Sequence, residues 1–349
     1  MNILIVKLSA IGDVVHTLPS LSALRKLYPA AHITWVIEEA ASDLIEGHPY
    51  LDRVIVSHRK RWIRDIKKGH IVKTIKDIRT FIREVRERPY DLVIDFHGLL
   101  KSAVIVLLSS GRRKLGYNSM QEMSGLFLNE KISEDMGKHA VLRYLDFPLY
   151  LGADIGEPEF LIPIRQENRE RVEELLKTNH IDIKEDFVVV NSTAFWETKL
   201  WEEEKFARLC DLIAEKLKVR VIFTGSKFDN ISRIQSLMTF PSINMGGRTT
   251  LRDLAYLCQL AALTVTTDSG PMHLAAAMET PVVALFGPTD PYRTGPFGDT
   301  HTVIQKGLPC SPCFLKKCAT KECMHKITVE DVFQEVKEKF QTCKKKKLN

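Results

Sequence analysis

The sequence predicts an α/β protein with two doubly wound domains, each built on a parallel sheet covered by helices. The chain has 349 residues, enough for two domains at the usual ~150 residues each. Short β-branched runs alternate with helical stretches, a pattern typical of βαβ units. Two prolines at residues 157–164 interrupt this pattern, which then starts again. We therefore expect domains at residues 1–160 and 161–349.

The individual elements follow from the periodicity of the apolar residues. In the first domain we predict strands at residues 3–6, 33–37, 54–56 and 92–95, and helices at 14–28, 74–86 and 99–109. In the second we predict strands at residues 187–191, 219–224, 263–267 and 282–286, and helices at 166–178, 203–216, 251–259 and 329–343. Since ligands of such folds bind at the carboxyl ends of the strands, we expect a site in a cleft between the two domains.

The composition is that of a globular protein, with 44% hydrophobic and 27% charged residues. The longest uncharged stretch, residues 254–267, is shorter than the ~20 apolar residues that cross a bilayer. No basic region precedes a long apolar run at the N-terminus, as a signal peptide would require. We therefore expect a cytoplasmic protein.

The net charge of +6 is unevenly distributed. Residues 59–88 hold twelve basic and four acidic side chains, and residues 344–347 are four lysines. Such a basic segment indicates an anionic partner, which could be nucleic acid, a membrane surface or a phosphorylated substrate, or it is a solvated helix face. Its only aromatic residues are Trp62 and Phe81, too few for a base-stacking platform, so we expect no nucleic-acid partner.

The first predicted strand runs into residues 7–13, Lys-Leu-Ser-Ala-Ile-Gly-Asp, and then into a helix. Neither the dinucleotide-binding pattern G-x-G-x-x-G nor a P-loop occurs in the chain. Asp13 can cap the helix N-terminus. Alternatively, it is a general base that accepts a proton from a hydroxyl nucleophile.

The third strand of the second domain is followed by residues 268–273, Asp-Ser-Gly-Pro-Met-His. We expect Pro271 at the first position of a helix. The unpaired N–H groups and the dipole of that helix form an anion site suited to a diphosphate, near the Ser269 hydroxyl and His273. Lys199, after the first strand of this domain, is either a phosphate partner or an ordinary surface lysine. No Asp-x-Asp pair is present to hold a metal–diphosphate complex.

Four cysteines, Cys310, Cys313, Cys318 and Cys323, follow the spacing C-x2-C-x4-C-x4-C. Four thiols so close together in a cytosolic chain favour a structural zinc or iron site over disulfides. The alternatives are that the cysteines form redox-active pairs or that they have no joint role.

Taken together and in order, these motifs resemble those of glycosyltransferase family nine, the ADP-heptose:lipopolysaccharide heptosyltransferases. The resemblance rests on residues 7–13, on 95–102 (Asp-x-His-Gly-Leu-x-Lys-Ser), on 268–276 and on 286–291. It extends over residues 1 to about 335. The segment that contains Arg61 and Trp62 is more similar to the heptosyltransferase I branch than to II.

The resemblance implies a GT-B fold of two Rossmann-like domains, the first binding the acceptor and the second the nucleotide sugar. It implies inverting transfer of L-glycero-D-manno-heptose from ADP-heptose to Kdo of lipid A, without a cofactor for catalysis. The enzyme would act at the cytoplasmic face of the inner membrane, where the basic segment would meet an anionic glycolipid. Heptosyltransferase II, or another family member with a different acceptor, is the alternative, and a GT-B nucleotide-sugar epimerase is another.

The resemblance also assigns residues to roles. Asp13 would be the general base. The donor would be bound by Thr193, Lys199, Asp229, Asp268, Ser269, Gly270 and His273. The acceptor would be bound by Ser9, Gly12, Arg61, Arg64 and Lys101.

Overall fold

The computed structural model describes residues 1–119, 121–122, 124–227 and 229–348, with side chains described up to residue 342. The chain divides into two compact units, Met1–Pro163 and Ile164–Asn349. The predicted boundary at residue 160 is thus three residues away from this division. The lysine tail at residues 344–347 lies outside the described side chains.

The first unit is a six-stranded parallel sheet covered by helices. Its sheet order is β3-β2-β1-β4-β5-β6. The elements are β1 (Asn2–Val6), α1 (Ile11–Leu27), β2 (His32–Glu38), α2 (Glu39–Ser42), β3 (Arg53–Ser57), α3 (Arg59–Lys67), α4 (Ile71–Val85), β4 (Tyr90–Asp95), α5 (Leu100–Leu108), β5 (Gly111–Tyr117), β6 (Glu130–Ile132) and α6 (Ala140–Tyr150). The strand order reverses between β1 and β4, which creates a topological switch point at their carboxyl ends.

The second unit repeats this plan with the sheet order β12-β11-β10-β7-β8-β9. Its elements are α7 (Gln166–Thr178), β7 (Phe187–Asn191), α8 (Glu203–Leu212), β8 (Arg220–Phe223), α9 (Ile231–Ser236), β9 (Ile243–Asn244), α10 (Leu251–Leu260), β10 (Leu263–Thr267), α11 (Gly270–Ala277), β11 (Val282–Phe286), α12 (Pro291–Thr294), β12 (Thr302–Gln305), α13 (Glu322–His325) and α14 (Val329–Leu348). Here the switch point lies between β7 and β10.

The central strands of both sheets are near-continuous apolar runs because helices cover both faces. Every residue of β7, β10 and β11 is buried. Helix α1 is buried around most of its circumference and packs on α6. None of the helices in the described part of the chain is long and apolar enough to cross a membrane.

All predicted strands and helices are present, although several of their ends differ. The elements that the sequence analysis missed have weak local signals. Strand β5 reads Gly-Arg-Arg-Lys-Leu-Gly-Tyr, and only its last three residues are buried. Helix α3 buries one side chain, Trp62. Pro148 lies inside α6, where a proline disfavours the assignment of a helix.

Candidate active site

Lys7 is a buried cation at the switch point of the first sheet. It follows β1 and is 2% exposed. Its Nζ donates to the Phe96 carbonyl (3.0 Å) and to the Tyr144 hydroxyl (2.6 Å), and it lies 3.8 Å from Asp13 Oδ2. Burial lowers the pKa of Lys7, and the negative charge of Asp13 opposes that decrease. The sequence alone predicts no role for this lysine.

Asp13 lies in the first turn of α1, and its side chain is 41% exposed. Its Oδ2 accepts the backbone N–H of the N-cap residue Ala10 at 3.2 Å, one half of a capping box, so it does satisfy a donor at the start of the helix. The carboxylate nevertheless remains accessible to solvent beside the Lys7 ammonium. The capping role and the general-base role are therefore compatible, because one hydrogen bond leaves the carboxylate further acceptor capacity.

Asp95, at the end of β4, fixes the loop that follows it. It is fully buried and accepts the backbone N–H groups of His97 (2.8 Å) and Gly98 (3.1 Å) and the Ser102 hydroxyl (2.9 Å). Burial raises the pKa of Asp95. Burial, together with the charges of Lys7 and Lys101, lowers the pKa of His97 to about 2, which makes its imidazole a poor base. The three hydrogen-bond donors enclose Asp95, so Asp13, whose carboxylate is exposed to solvent, is the better candidate for proton abstraction in this unit.

Lys101 and Arg59 converge on one buried carboxylate, that of Glu38 at the end of β2. Lys101 Nζ donates to Ser9 Oγ (2.8 Å) and lies 3.4 Å from Glu38 Oε1. Arg59 Nε donates to the same oxygen at 3.1 Å. Burial lowers the pKa of Lys101. Two cations beside one carboxylate leave this cluster with a net positive charge. Gly12, which is buried in the first turn of α1, adds no side chain to that turn.

Arg61 and Arg64, predicted to bind the acceptor, lie outside this cluster. Arg61 Nη2 is 3.8 Å from Asp77 and Arg64 Nε is 3.8 Å from Asp65. Helix α3 begins at Arg59. Because Arg61 and Arg64 are two and five residues further along the helix, they lie on different faces of it from Arg59. Arg59 lies just after the end of β3. This position at a strand end is the signal that could have identified it as a residue of the cluster around Glu38.

Asn191, at the end of β7, joins the loops at the switch point of the second sheet. Its Nδ2 donates to the Thr224 carbonyl at 3.0 Å. Its Oδ1 accepts the hydroxyls of Thr193 (3.3 Å) and Ser269 (3.4 Å). The Thr267 hydroxyl donates to the Thr193 carbonyl at 2.8 Å. The sequence analysis missed Asn191, although it ends a fully buried strand.

Lys199 and Asp268 form a buried ion pair in the second unit. Lys199 Nζ is 2.6 Å from Asp268 Oδ2, and their side chains are 16% and 6% exposed. The Trp196 ring centroid lies 4.6 Å from the same ammonium, and the Thr289 hydroxyl donates to Asp268 Oδ2 at 2.6 Å. Lys199 is therefore not an ordinary surface lysine. Its side chain is mostly buried and paired with Asp268, and its ammonium, which has three donors, can still bind a phosphate.

Replacing Thr289 by Val should destabilise the second unit, because Asp268 would keep its ion pair but lose a buried hydrogen bond. We expect a loss of about 1–2 kcal/mol in the free energy of unfolding. Urea denaturation followed by tryptophan fluorescence measures it. Thr300→Val, at an exposed position of the same unit, is the matched control. Equal midpoints for the two variants would show that the hydrogen bond does not stabilise Asp268.

A cavity of about 220 Å³ contains two of the predicted donor-binding residues, Thr193 and Asp229. Asp229 Oδ2 accepts the Ser226 backbone N–H. A Cβ at Gly225 would lie 2.4 Å from that oxygen, so a side chain there would displace the Asp229 carboxylate. The remaining walls combine polar and apolar side chains: Ser192, Ala194, Leu200, Trp201, Glu203, Phe206, Asn230 and Ile234.

Helix α11 begins at Gly270, so Pro271 is its second residue. The prediction that Pro271 is the first residue is off by one position. Ser269 is the N-cap residue by backbone position, but its side chain makes no capping hydrogen bond and bonds Asn191 instead. His273 lies in the first turn and is 8% exposed. Asp268, Ser269, Gly270 and His273 are thus placed at the carboxyl end of β10, as the sequence analysis expects.

The four cysteines line one cavity of about 160 Å³ together with Thr198 and Pro288. Within the described ranges, however, no group of three or more His, Cys, Asp or Glu side chains is placed to hold a metal ion. The four thiols share one cavity, but this structure does not place them as the metal site that their spacing predicts. The N–H groups of Cys313 and Phe314 both donate to the Pro288 carbonyl, which ties the segment to the loop after β11.

This cysteine segment supports the loops that hold the Lys199–Asp268 pair. The Thr198 hydroxyl donates to the Leu315 carbonyl at 2.7 Å. A Cβ at Gly287 would lie 2.6 Å from Met324 Sδ, so a side chain there would force Met324 to shift where the loop after β11 meets the segment.

With this geometry established, comparison with known proteins decides the family. The family model described as "Glycosyltransferase family 9 (heptosyltransferase)" matches residues 78–324, most of the chain. The chain belongs to glycosyltransferase family 9. The predicted family and the GT-B type of fold, with two doubly wound Rossmann-like units, are confirmed.

The family 9 chain is similar to several heptosyltransferases. It is 28% identical over 336 residues to lipopolysaccharide heptosyltransferase 1 of Pseudomonas aeruginosa, covering 91% of this chain and 87% of the relative. It is 25% identical over 301 residues to lipopolysaccharide heptosyltransferase 3 of Escherichia coli, covering 84% of each. The solved structure of E. coli heptosyltransferase WaaC with ADP matches with a TM-score of 0.76 at 26% identity, covering 97% of this chain and 100% of that one.

Proposed function

We propose that this family 9 enzyme transfers L-glycero-D-manno-heptose from ADP-heptose to Kdo of lipid A, with inversion at the anomeric carbon. The observation that carries the proposal is Asp13, a solvent-accessible carboxylate 3.8 Å from the buried Lys7 at the switch point of the first sheet. Similarity to enzymes named lipopolysaccharide heptosyltransferase 1 supports the choice of donor and acceptor.

In the proposed reaction Asp13 takes the proton from a Kdo hydroxyl, and the resulting oxygen attacks the anomeric carbon of the heptose. The bond from that carbon to the β-phosphate oxygen breaks, and ADP leaves with the bonding electrons. A single displacement inverts the anomeric configuration and needs one base and no covalent enzyme intermediate.

On the acceptor side, the first unit offers cations to an anionic substrate. We assign the Kdo carboxylate to the cluster of Ser9, Lys101 and Arg59, since charge-assisted hydrogen bonds to carboxylates are strong. Gly12 allows the substrate to approach Asp13. The more exposed Arg61 and Arg64 are proposed to meet phosphate groups of lipid A.

On the donor side, Lys199 would balance the charge that develops on the departing diphosphate. The cavity at Thr193 and Asp229 would take the nucleoside, while Asp268 would accept a heptose hydroxyl. The remaining proposed contacts to the diphosphate and sugar come from the amino end of α11, with Ser269, Gly270 and His273. Unit Met1–Pro163 is thus proposed to bind the acceptor and unit Ile164–Asn349 the donor, at the cytoplasmic face of the inner membrane.

A pair of acceptors tests this assignment. Purified enzyme is incubated with ADP-heptose and either Kdo-lipid A or heptosylated Kdo-lipid A, and the products are separated by mass. Transfer to the first acceptor alone is expected. Transfer to the second alone would replace the proposal with the reaction of a heptosyltransferase II or of another family member that uses a different acceptor.

Removal of divalent cations should leave the rate of transfer unchanged, because Lys199 is proposed to neutralise the diphosphate and no Asp-x-Asp pair is present. Initial rates are compared with and without EDTA, and with EDTA followed by excess Mg²⁺. A fall in rate that Mg²⁺ restores would contradict metal independence.

Elemental analysis of the same preparation reports whether the cysteine segment carries zinc or iron.

A further inference from the structure

Helices α3 and α4 form a hairpin whose turn exposes aliphatic side chains. Five of them, here called the apolar tip, are 44–84% exposed: Ile63, Ile66, Ile71, Val72 and Ile75. The hairpin is anchored by its other face, where Trp62 packs against Phe81 with ring centroids 5.3 Å apart and both rings are buried. The side chains of the apolar tip are therefore not part of the hydrophobic core of the unit.

The five side chains lie on either side of one tight turn. Ile63 and Ile66 are in the last part of α3, and Ile71, Val72 and Ile75 begin α4. Spacings of three and four residues place side chains on the same side of a helix. Gly69 makes the turn with a φ of +82°, in the region that favours glycine.

Exposed cations surround the apolar tip. They are Arg64, Lys67, Lys68, Lys73 and Lys76. The two acidic residues within residues 59–80, Asp65 and Asp77, are partly buried, and each lies 3.8 Å from an arginine. The exposed surface around the turn therefore combines aliphatic groups with a net positive charge.

We propose that the apolar tip inserts into the headgroup region of an anionic phospholipid bilayer while the surrounding lysines bind lipid phosphates. Aliphatic side chains flanked by Lys and Arg characterise elements that lie in the membrane interface. A nucleic acid is disfavoured because both aromatic rings of the hairpin are buried. A second copy of the same surface would bring like charges together. The inference concerns the bilayer itself and does not depend on the proposed transfer reaction.

Vesicle flotation of the full chain tests the proposal without any acceptor present. Wild-type protein should float with vesicles of phosphatidylglycerol and phosphatidylethanolamine and not with vesicles of phosphatidylcholine. Ile66→Asn/Val72→Asn, which leaves the charge unchanged, should lower the partition coefficient by about tenfold or more. Lys67→Gln/Lys68→Gln should lower it as well, and the remaining binding should be less sensitive to salt.

The matched control is Val104→Asn/Leu107→Asn, at exposed apolar positions of α5 in the same unit. It should float like the wild type, and thermal melting verifies that all variants are folded. Unchanged flotation of Ile66→Asn/Val72→Asn would overturn the proposal. So would flotation of wild type only when Kdo-lipid A is added, which would show that the acceptor headgroup is bound instead. Transfer to detergent-solubilised acceptor, measured in parallel, tests the enzymatic proposal separately.

Discussion

Asp13→Asn is expected to lower kcat for heptose transfer by about 10²–10⁴-fold, the contribution of a general base, while ADP-heptose binding stays nearly unchanged. The amide can still accept the Ala10 N–H bond that caps α1, so the fold should persist. Lys7 also keeps its hydrogen bonds to the Phe96 carbonyl and the Tyr144 hydroxyl. The loss would therefore report chemistry rather than misfolding.

Steady-state kinetics together with calorimetric titration of ADP-heptose separate the two effects. Asp154→Asn, at an exposed aspartate of the same unit, is the control and should retain wild-type rates. If Asp13→Asn transferred heptose at the wild-type rate, Asp13 would be a helix cap only.

Lys199→Ala should both destabilise the second unit and weaken binding of ADP. It leaves the Asp268 carboxylate buried without its cation, while the Thr289 hydroxyl still donates to it. Breaking a buried ion pair in this way costs about 3–5 kcal/mol. The double variant Lys199→Ala/Asp268→Asn removes the stranded charge. It should recover most of the stability but bind ADP at least about tenfold more weakly than the wild type.

Asp268→Asn alone separates the roles of the pair, because we assign Asp268 to the heptose and Lys199 to the diphosphate. It should retain ADP binding and lose transfer. Lys216→Ala, at an exposed lysine of the same unit, controls for general loss of charge. Wild-type ADP affinity in the double variant would remove Lys199 from the phosphate site.

The carboxyl-end loops were predictable because short motifs follow buried strands. Asp13, Lys199 and Asp268 are candidate site residues on this ground, because each lies in a loop or turn that follows a buried strand. Lys7 and Asn191 were not identified, since their importance depends on burial and on partners more than thirty residues away, such as Tyr144 and Thr224. Sequence periodicity carries no information on such long-range contacts.

The cysteine segment shows the limit of a spacing rule. The spacing predicts thiols that lie together, and the four do line one cavity, but it does not specify the side-chain geometry that a metal ion needs. The path of the backbone there also depends on the hydrogen bonds of Cys313 and Phe314 to the Pro288 carbonyl. Arg59 could not be distinguished from its basic neighbours in the sequence, because the start of α3 is hard to locate in a segment with a single buried residue.

The most direct test of the central claim is the anomeric configuration of the product. Enzyme, ADP-heptose and Kdo-lipid A are incubated together, and the glycan is analysed by NMR while released ADP is quantified. The proposal predicts one added heptose per acceptor, an anomeric configuration opposite to that in the donor, and one ADP released per transfer. Retention of configuration, or ADP release without transfer to Kdo, would contradict it.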